Sequence, residues 1–189
     1  MSVQVRARHL KSLIESIDQH PQAAAIRARV PAQLLAGIEA SFGFDWCPME
    51  WDIVLTRAVG EVVDEGVEAF FKQAMRASFQ GPLLRTLVET GLRMFGADPG
   101  TAATWVPRGW QLIFQGCGRW RVVGHAQGRA ELAIEDLPPE CAVDDLWPRS
   151  VTGAMAAVAS ITSDDGTARL EQFDPQARSA SYVLVWTPR

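Results

Sequence analysis

The residues best equipped for chemistry crowd into one stretch, "WVPRGWQLIFQGCGRWRVVGH", from Trp105 to His125. Cys117 with His125 as its base has the makings of a nucleophile pair, because the thiolate attacks and an imidazole can take its proton. No third residue is indicated to orient the base, and small buried cysteines are commoner than reactive ones. Cys117, His125 and Cys141 are also zinc-donor types, but they lack the ligand spacing of a zinc motif, and no metal is assigned. "GCG" at 116–118 is too short to cradle a phosphate and precedes a strand, so it reads as a turn. Asp144-Asp145 and Asp164-Asp165 fall at a helix start and a hairpin turn, where carboxylates serve as caps and turn formers. The chain shows no G-x-S-x-G, P-loop, H-E-x-x-H, Cys-x-x-Cys or dinucleotide glycine signature.

What remains in this stretch is aromatic. Trp110 and Phe114 lie four apart and would share a helical face. Trp120 and Val122 share one face of the strand that follows, and Trp105 opens the helix. Rigid rings meeting at a joint between helices and a sheet pack less completely than aliphatic chains and can leave a slot for a flat apolar ligand. Trp105, Trp110, Phe114, Trp120 and Val122 are therefore the candidate ligand-binding residues. Arg119, Arg121 and His125 would point the other way, to solvent or to acids such as Glu131. Trp46 and Trp51 bracket Cys47-Pro48 at a helix start, which suits a hydrophobic staple.

The elements that would position these residues change period half-way along the chain. Leu10, Leu13, Ile14 and Ile17 predict an amphipathic helix within Val3–Gln19. Pro21 and Pro31 suit the first turns of two short helices, and Pro48 suits another. Trp51, Val54, Leu55, Ala58, Val62 and Val63 form a stripe continued by Val67, Phe70, Phe71, Ala74 and Met75, with a break expected near 64–66. Leu83, Leu84, Leu87, Val88 and Leu92 predict a further helix ended by Gly96, and "ADPGTAAT" reads as a loop or one short turn. After the Trp105–Phe114 helix, "RWRVVGH" and "RAELAIED" alternate about the turn "AQG". A small-residue helix, "SVTGAMAAVASIT", follows, with Gly153 placed for close packing on a sheet. "TARLEQF" and "SASYVLVW" form a second hairpin, with Tyr182, Leu184 and Trp186 on one face. The predicted class is α+β: one domain over 1–189, with an N-terminal helical layer on a roughly four-stranded antiparallel sheet in hairpin–helix–hairpin order.

Composition narrows the function classes. Of 189 residues 48% are apolar, enough for a sizeable core, and the net charge of −4 argues against a general nucleic-acid binder. The charge is uneven: Arg6, Arg8, Lys11, Arg27 and Arg29 face only Glu15 and Asp18 in the first 30 residues, while 131–145 is acidic. Widely spaced Cys47, Cys117 and Cys141 form no disulfide framework and fit a reducing cytoplasm. No apolar run approaches a membrane span, and the N-terminus lacks the apolar core of a secretory signal. Abundant alanine, and arginine in nearly every basic position, suggest a high-GC bacterial source.

The succession "VRARHLKSLIESI", "DWCPMEWDIVLTRAV", "GPLLRTLVETGLRMF", "WVPRGWQLIFQGCGRWRVV" and "SYVLVW" resembles a bacterial, myxobacterial-type paralogous family of unknown function. More distantly it is similar to 4-vinyl-reductase-type domains, the haem-NO-binding group and TRAPP vesicle-tethering subunits. The resemblance implies helices packed on an antiparallel sheet and a role as small-molecule sensor, lipid binder or dimerising adaptor. The sensor branch's C-terminal cysteines are missing after Cys141, and no histidine matches the haem branch's axial ligand, so no cofactor is carried over. The expected function is a non-enzymatic cytoplasmic regulatory module that binds a small apolar or aromatic ligand, a partner protein, or both. The alternatives are a homodimerising adaptor with a solid core, its interface on the helical stripes at 51–75 and 83–92, and an enzyme using Cys117.

Overall fold

The computed structural model describes residues 2–81, 85–86, 89–90, 99–161 and 165–188. The first strand, β1 (Gln4–Arg6), runs straight into α1 (Ala7–Asp18). The short helices α2 (Ala23–Arg27) and α3 (Ala32–Ala40) lead to β2 (Trp46–Pro48), α4 (Met49–Gly60) and α5 (Val67–Gln80). After α6 (Pro99–Thr104) and α7 (Val106–Ile113) come β3 (Phe114–Gln115), β4 (Arg119–Ala126) and β5 (Arg129–Glu135). A 3-10 turn (Pro139–Cys141) precedes α8 (Leu146–Ala159), and the β6 (Thr167–Asp174)–β7 (Ser179–Val185) hairpin follows. The class is the predicted one: four antiparallel strands in the order β4-β5-β7-β6, with α8 between the hairpins.

A second antiparallel sheet, β2-β1-β3, is absent from the sequence reading. The N-terminal helix begins at Ala7, not Val3, because Val3, Val5 and Ala7 alternate with Gln4, Arg6 and Arg8 in the period of a strand. Val5 is fully buried between its partners Cys47 and Phe114. Pro48 accordingly ends a strand instead of lying within a helical turn. Trp46 and Trp51 do not form a staple together: Arg6 stacks on the Trp46 ring, and Trp51 lies against Gly37.

The break after α4 falls where expected, with Gly66 at φ 90. The buried side of α4 is rotated from the predicted stripe, however. It comprises Met49, Asp52, Leu55, Thr56, Ala58 and Val59, with Trp51 and Val54 only partly buried. All five residues of the stripe predicted over 83–92 lie outside the described residues, as does Gly96. "ADPGTAAT" ends in a genuine helix, α6, and Phe114 belongs to β3, so the predicted Trp105–Phe114 helix is shorter at both ends.

Helix α8 is sandwiched, with α5 on one side and β6 and β7 on the other. It starts four residues before the predicted Ser150, since Pro148 in the first turn has no helical bond to lose. Gly153 faces α5 rather than the sheet. A Cβ there would come within 2.3 Å of the Glu68 carbonyl, so the two backbones approach only because glycine is present. Arg149 clamps the same contact with a bidentate pair to Glu68, at 2.6 and 3.0 Å.

Candidate functional site

The joint between the helices and the sheet is built by α7, β3 and β4. Val106, Trp110 and Ile113 recur at three-to-four spacing and bury one face of α7. Gly116 and Gly118, at φ 70 and 73, turn the chain back into β4, as expected for "GCG". The Trp110 indole N–H fastens this turn by donating to the Cys117 carbonyl at 2.7 Å.

Trp110, Phe114 and Trp120 come together as predicted from their spacing. The Trp110 ring centroid lies 4.3 Å from Phe114 and 5.3 Å from Trp120. The strand position of Phe114 does not separate the pair, because the side chain leaves the end of α7 toward the same core. Val122 is half-buried on the Trp120 face of β4. Trp105 stands at the edge, half-buried, with the Arg108 guanidinium over its ring.

Two rings absent from the candidate set complete the cluster. Trp147 of α8 lies 5.8 Å from Trp110, and Tyr182 of β7 lies 5.4 Å from Trp120. Burial raises the Tyr182 phenol, which donates to the Pro148 carbonyl. The sequence places Tyr182 on one face of its strand with Leu184 and Trp186, but nothing in the linear spacing aims it at Trp120.

Beneath the rings sits a polar group that the apolar periodicity concealed. Asp52, only 2% exposed, accepts from the Trp147 indole at 3.0 Å and bonds His9 Nε2 at 3.2 Å. The His9 ring in turn meets Phe114 edge-on. The signal was a carboxylate three residues from both Met49 and Leu55, on the buried side of a helix.

On its outer side the cluster borders an open groove of about 390 Å³, walled by Trp46, Trp110, Gln111 and Phe114 and floored by Gly116–Gly118. A larger hollow of about 830 Å³ lies over the outer face of the sheet. It is lined by ion pairs such as Arg121–Glu135 and Arg129–Glu131, a poor match for an apolar ligand. Arg119 and Arg121 do face outward, but they hold Asp136 and Glu135, while Glu131 is taken by Arg129.

The Cys117 chemistry does not assemble. Cys117 is 1% exposed, and burial together with the neighbouring Cys141 raises its thiol well above the usual range. His125 lies near the far end of β4, about 20 Å along the strand from Arg119. For the same reason the candidate zinc ligands are not gathered, and no cluster of metal-donor side chains occurs among the described residues. Asp144 is structural: it accepts from the Leu146 N–H at the start of α8 and pairs with Arg57. A thiol reagent should label Cys47, Cys117 and Cys141 at least ~100-fold more slowly in the folded chain than in denaturant, since each needs an opening to be reached. Native labelling of Cys117 at the denatured rate would show an accessible nucleophile.

No protein-family model matches the sequence, and no curated protein does. Solved structures do match. The Fe(II) unliganded H-NOX protein of K. algicida superposes with a TM-score of 0.62 at 8% identity, over 97% of each chain. A point mutant of it gives 0.65 at 6% identity over 95% of each. A point mutant of the T. tengcongensis H-NOX protein gives 0.55 at 9%, over 95% of this chain and 96% of the other. The chain has the H-NOX fold.

H-NOX structures have been used to study haem distortion, so the fit of a haem to these residues can be tested directly. Haem iron is commonly held by histidine, cysteine or tyrosine, and every such residue of the chain lies within the described segments. His20 uses both nitrogens, on Glu65 and on the Gln22 N–H. His125 is exposed at the end of an edge strand. His9 is bonded to Asp52 and packed on Phe114, and it lines none of the cavities described above. The cysteines are buried, and Tyr182 is fixed to Pro148. The Trp120 indole N–H is buried without a partner among the described residues, but it offers iron no lone pair. On this H-NOX fold, the residues present do not fit a haem.

Proposed function

We propose that the chain is a non-enzymatic regulatory or sensory module, and that it takes a small flat apolar or aromatic ligand against Trp110 and Phe114. The observation that carries this reading is the open groove on these two residues, backed by rings that reach both α8 and the sheet. Its volume lies within the usual range of small-molecule sites, and Trp46, Trp110 and Phe114 stand on its wall beside the polar Gln111 and Gln115. A ligand stacked there would bear on Trp110, which touches Phe114, Trp120 and Trp147 and fastens the turn before β4. Trp120 and Val122 form the inner support of the site, and Trp105 its outer edge. The fold likeness to H-NOX domains supports a sensory role. The rival adaptor calls for apolar surface on the stripes at 51–75 and 83–92; no large apolar side chain of α4 or α5 is exposed, and the second stripe lies outside the described residues.

The test is a titration with a neutral flat fluorophore, N-phenylnaphthylamine, read by its own emission and by loss of tryptophan emission. Gln111 is exposed on the groove wall, so Gln111→Trp should fill the groove without disturbing the core. Affinity is expected to fall by about tenfold or more, roughly 1.4 kcal/mol, with an unchanged melting temperature. Equal binding by the variant and the parent would place the ligand elsewhere.

A further inference from the structure

Two phenylalanines in the loop after α3 are almost fully outside: Phe42 is 80% exposed and Phe44 81%. The loop that holds them is braced. The Phe42 N–H donates to the Asp45 carboxylate at 2.7 Å, and the Asp45 N–H returns to the Phe42 carbonyl at 2.9 Å. The Ala7 and Arg8 N–H groups donate to Asp45 and Gly43, and the Arg6 guanidinium donates to the Phe44 carbonyl. The rings are therefore presented on a fixed scaffold, with little ordering left to do on contact.

The charges around the loop are gathered on one side of it. Arg27, Arg57 and Arg149 on the helices and Arg29 in the turn after α2 each hold a carboxylate, as do the arginines on the outer face of the sheet. Arg6, Arg8 and Lys11 are in no ion pair among the described residues; Arg6 and Lys11 bond only backbone carbonyls. The Arg8 side chain passes over Gly43, between the two phenylalanines. Arg8 and Lys11, three apart on α1, share a helical face.

We propose that the Ser41–Asp45 loop is a shallow anchor for an anionic lipid surface. Phe42 and Phe44 enter the headgroup region, and Arg6, Arg8 and Lys11 meet lipid phosphates. A convex pair of rings is far smaller than the ~800 Å² that each partner contributes to a stable protein interface. Lipid closes around such a knob from every side, and adjacent cations add attraction to an anionic leaflet. The rest of the surface need not cooperate, which suits a chain of net charge −4.

The experiment is co-sedimentation of the full chain with vesicles of phosphatidylcholine alone and of phosphatidylcholine mixed with phosphatidylglycerol. Binding is expected to the mixed vesicles only, and to weaken as salt is added. Phe42→Ser with Phe44→Ser should lower partitioning by about tenfold or more. Arg8→Gln and Lys11→Gln should each lower it by about fivefold. Melting temperatures should be unchanged in all of these, because the altered side chains lie outside the core. Equal binding to neutral vesicles, or no loss in the phenylalanine variant, overturns the proposal. So does a failure to bind either vesicle; if the phenylalanine variant then also converts a dimer to a monomer, the rings belong to a contact between copies.

Discussion

Replacing Trp110 by alanine is expected to lower the unfolding free energy by about 3–5 kcal/mol, the range for removing a large buried ring. The side chain is 9% exposed and makes ring contacts with Phe114, Trp120 and Trp147, which come from three different elements. Those neighbours are themselves rigid, so they collapse poorly into the space left behind. The Cys117 carbonyl also loses its donor at the turn into β4. Urea unfolding of the variant measures the loss, and fluorophore binding should disappear with it. A cost below ~1 kcal/mol with binding retained would mean that the ring supports neither the joint nor the groove.

Asp52→Ala is expected to cost about 2–5 kcal/mol, because a buried indole N–H and the part-buried His9 lose their shared partner. The Trp147 indole N–H and His9 Nε2 both end on this carboxylate, and neither has another partner within reach of the same atoms. Much of the cost is the stranded Trp147 N–H, which gives the prediction a second arm. In the Asp52→Ala background, Trp147→Phe should cost less than it does alone, since it removes the orphaned donor while keeping an aromatic ring. Strict additivity of the two changes in a double-mutant cycle would show that Asp52 and Trp147 do not act as a unit. A small effect of Asp52→Ala alone would show that water replaces the carboxylate without loss.

These two residues mark where the sequence was readable and where it was not. Trp110 was visible because its partners are local. Phe114 is four residues on, Trp120 is ten residues on, and the switch from helical to alternating period between them fixes which sides face inward. The same local logic gave the helix break near Gly66, the β4–β5 and β6–β7 hairpins and the shared face of Tyr182, Leu184 and Trp186, which the structure turns inward. Asp52 was invisible because its partners are 43 and 95 residues away, and a carboxylate on a helix is by default a solvated one.

Strand β1 was lost for a related reason. It is three residues long, and its alternation runs without pause into the stronger helical pattern of Leu10, Leu13 and Ile17. Only β2 and β3, brought to either side of it by tertiary packing, make those three residues a strand. The same sheet brings Trp46 to Trp110 and so forms the groove. Local periodicity and turn residues determined the α+β class and the aromatic joint, because helix and strand periods are set by backbone geometry within a few residues. The buried acid, the second sheet, the engagement of His9 and His20 by carboxylates, and the exposure of Phe42 and Phe44 were decided by the tertiary structure alone. Burial depends on which distant surfaces meet, and no spacing along the chain encodes that.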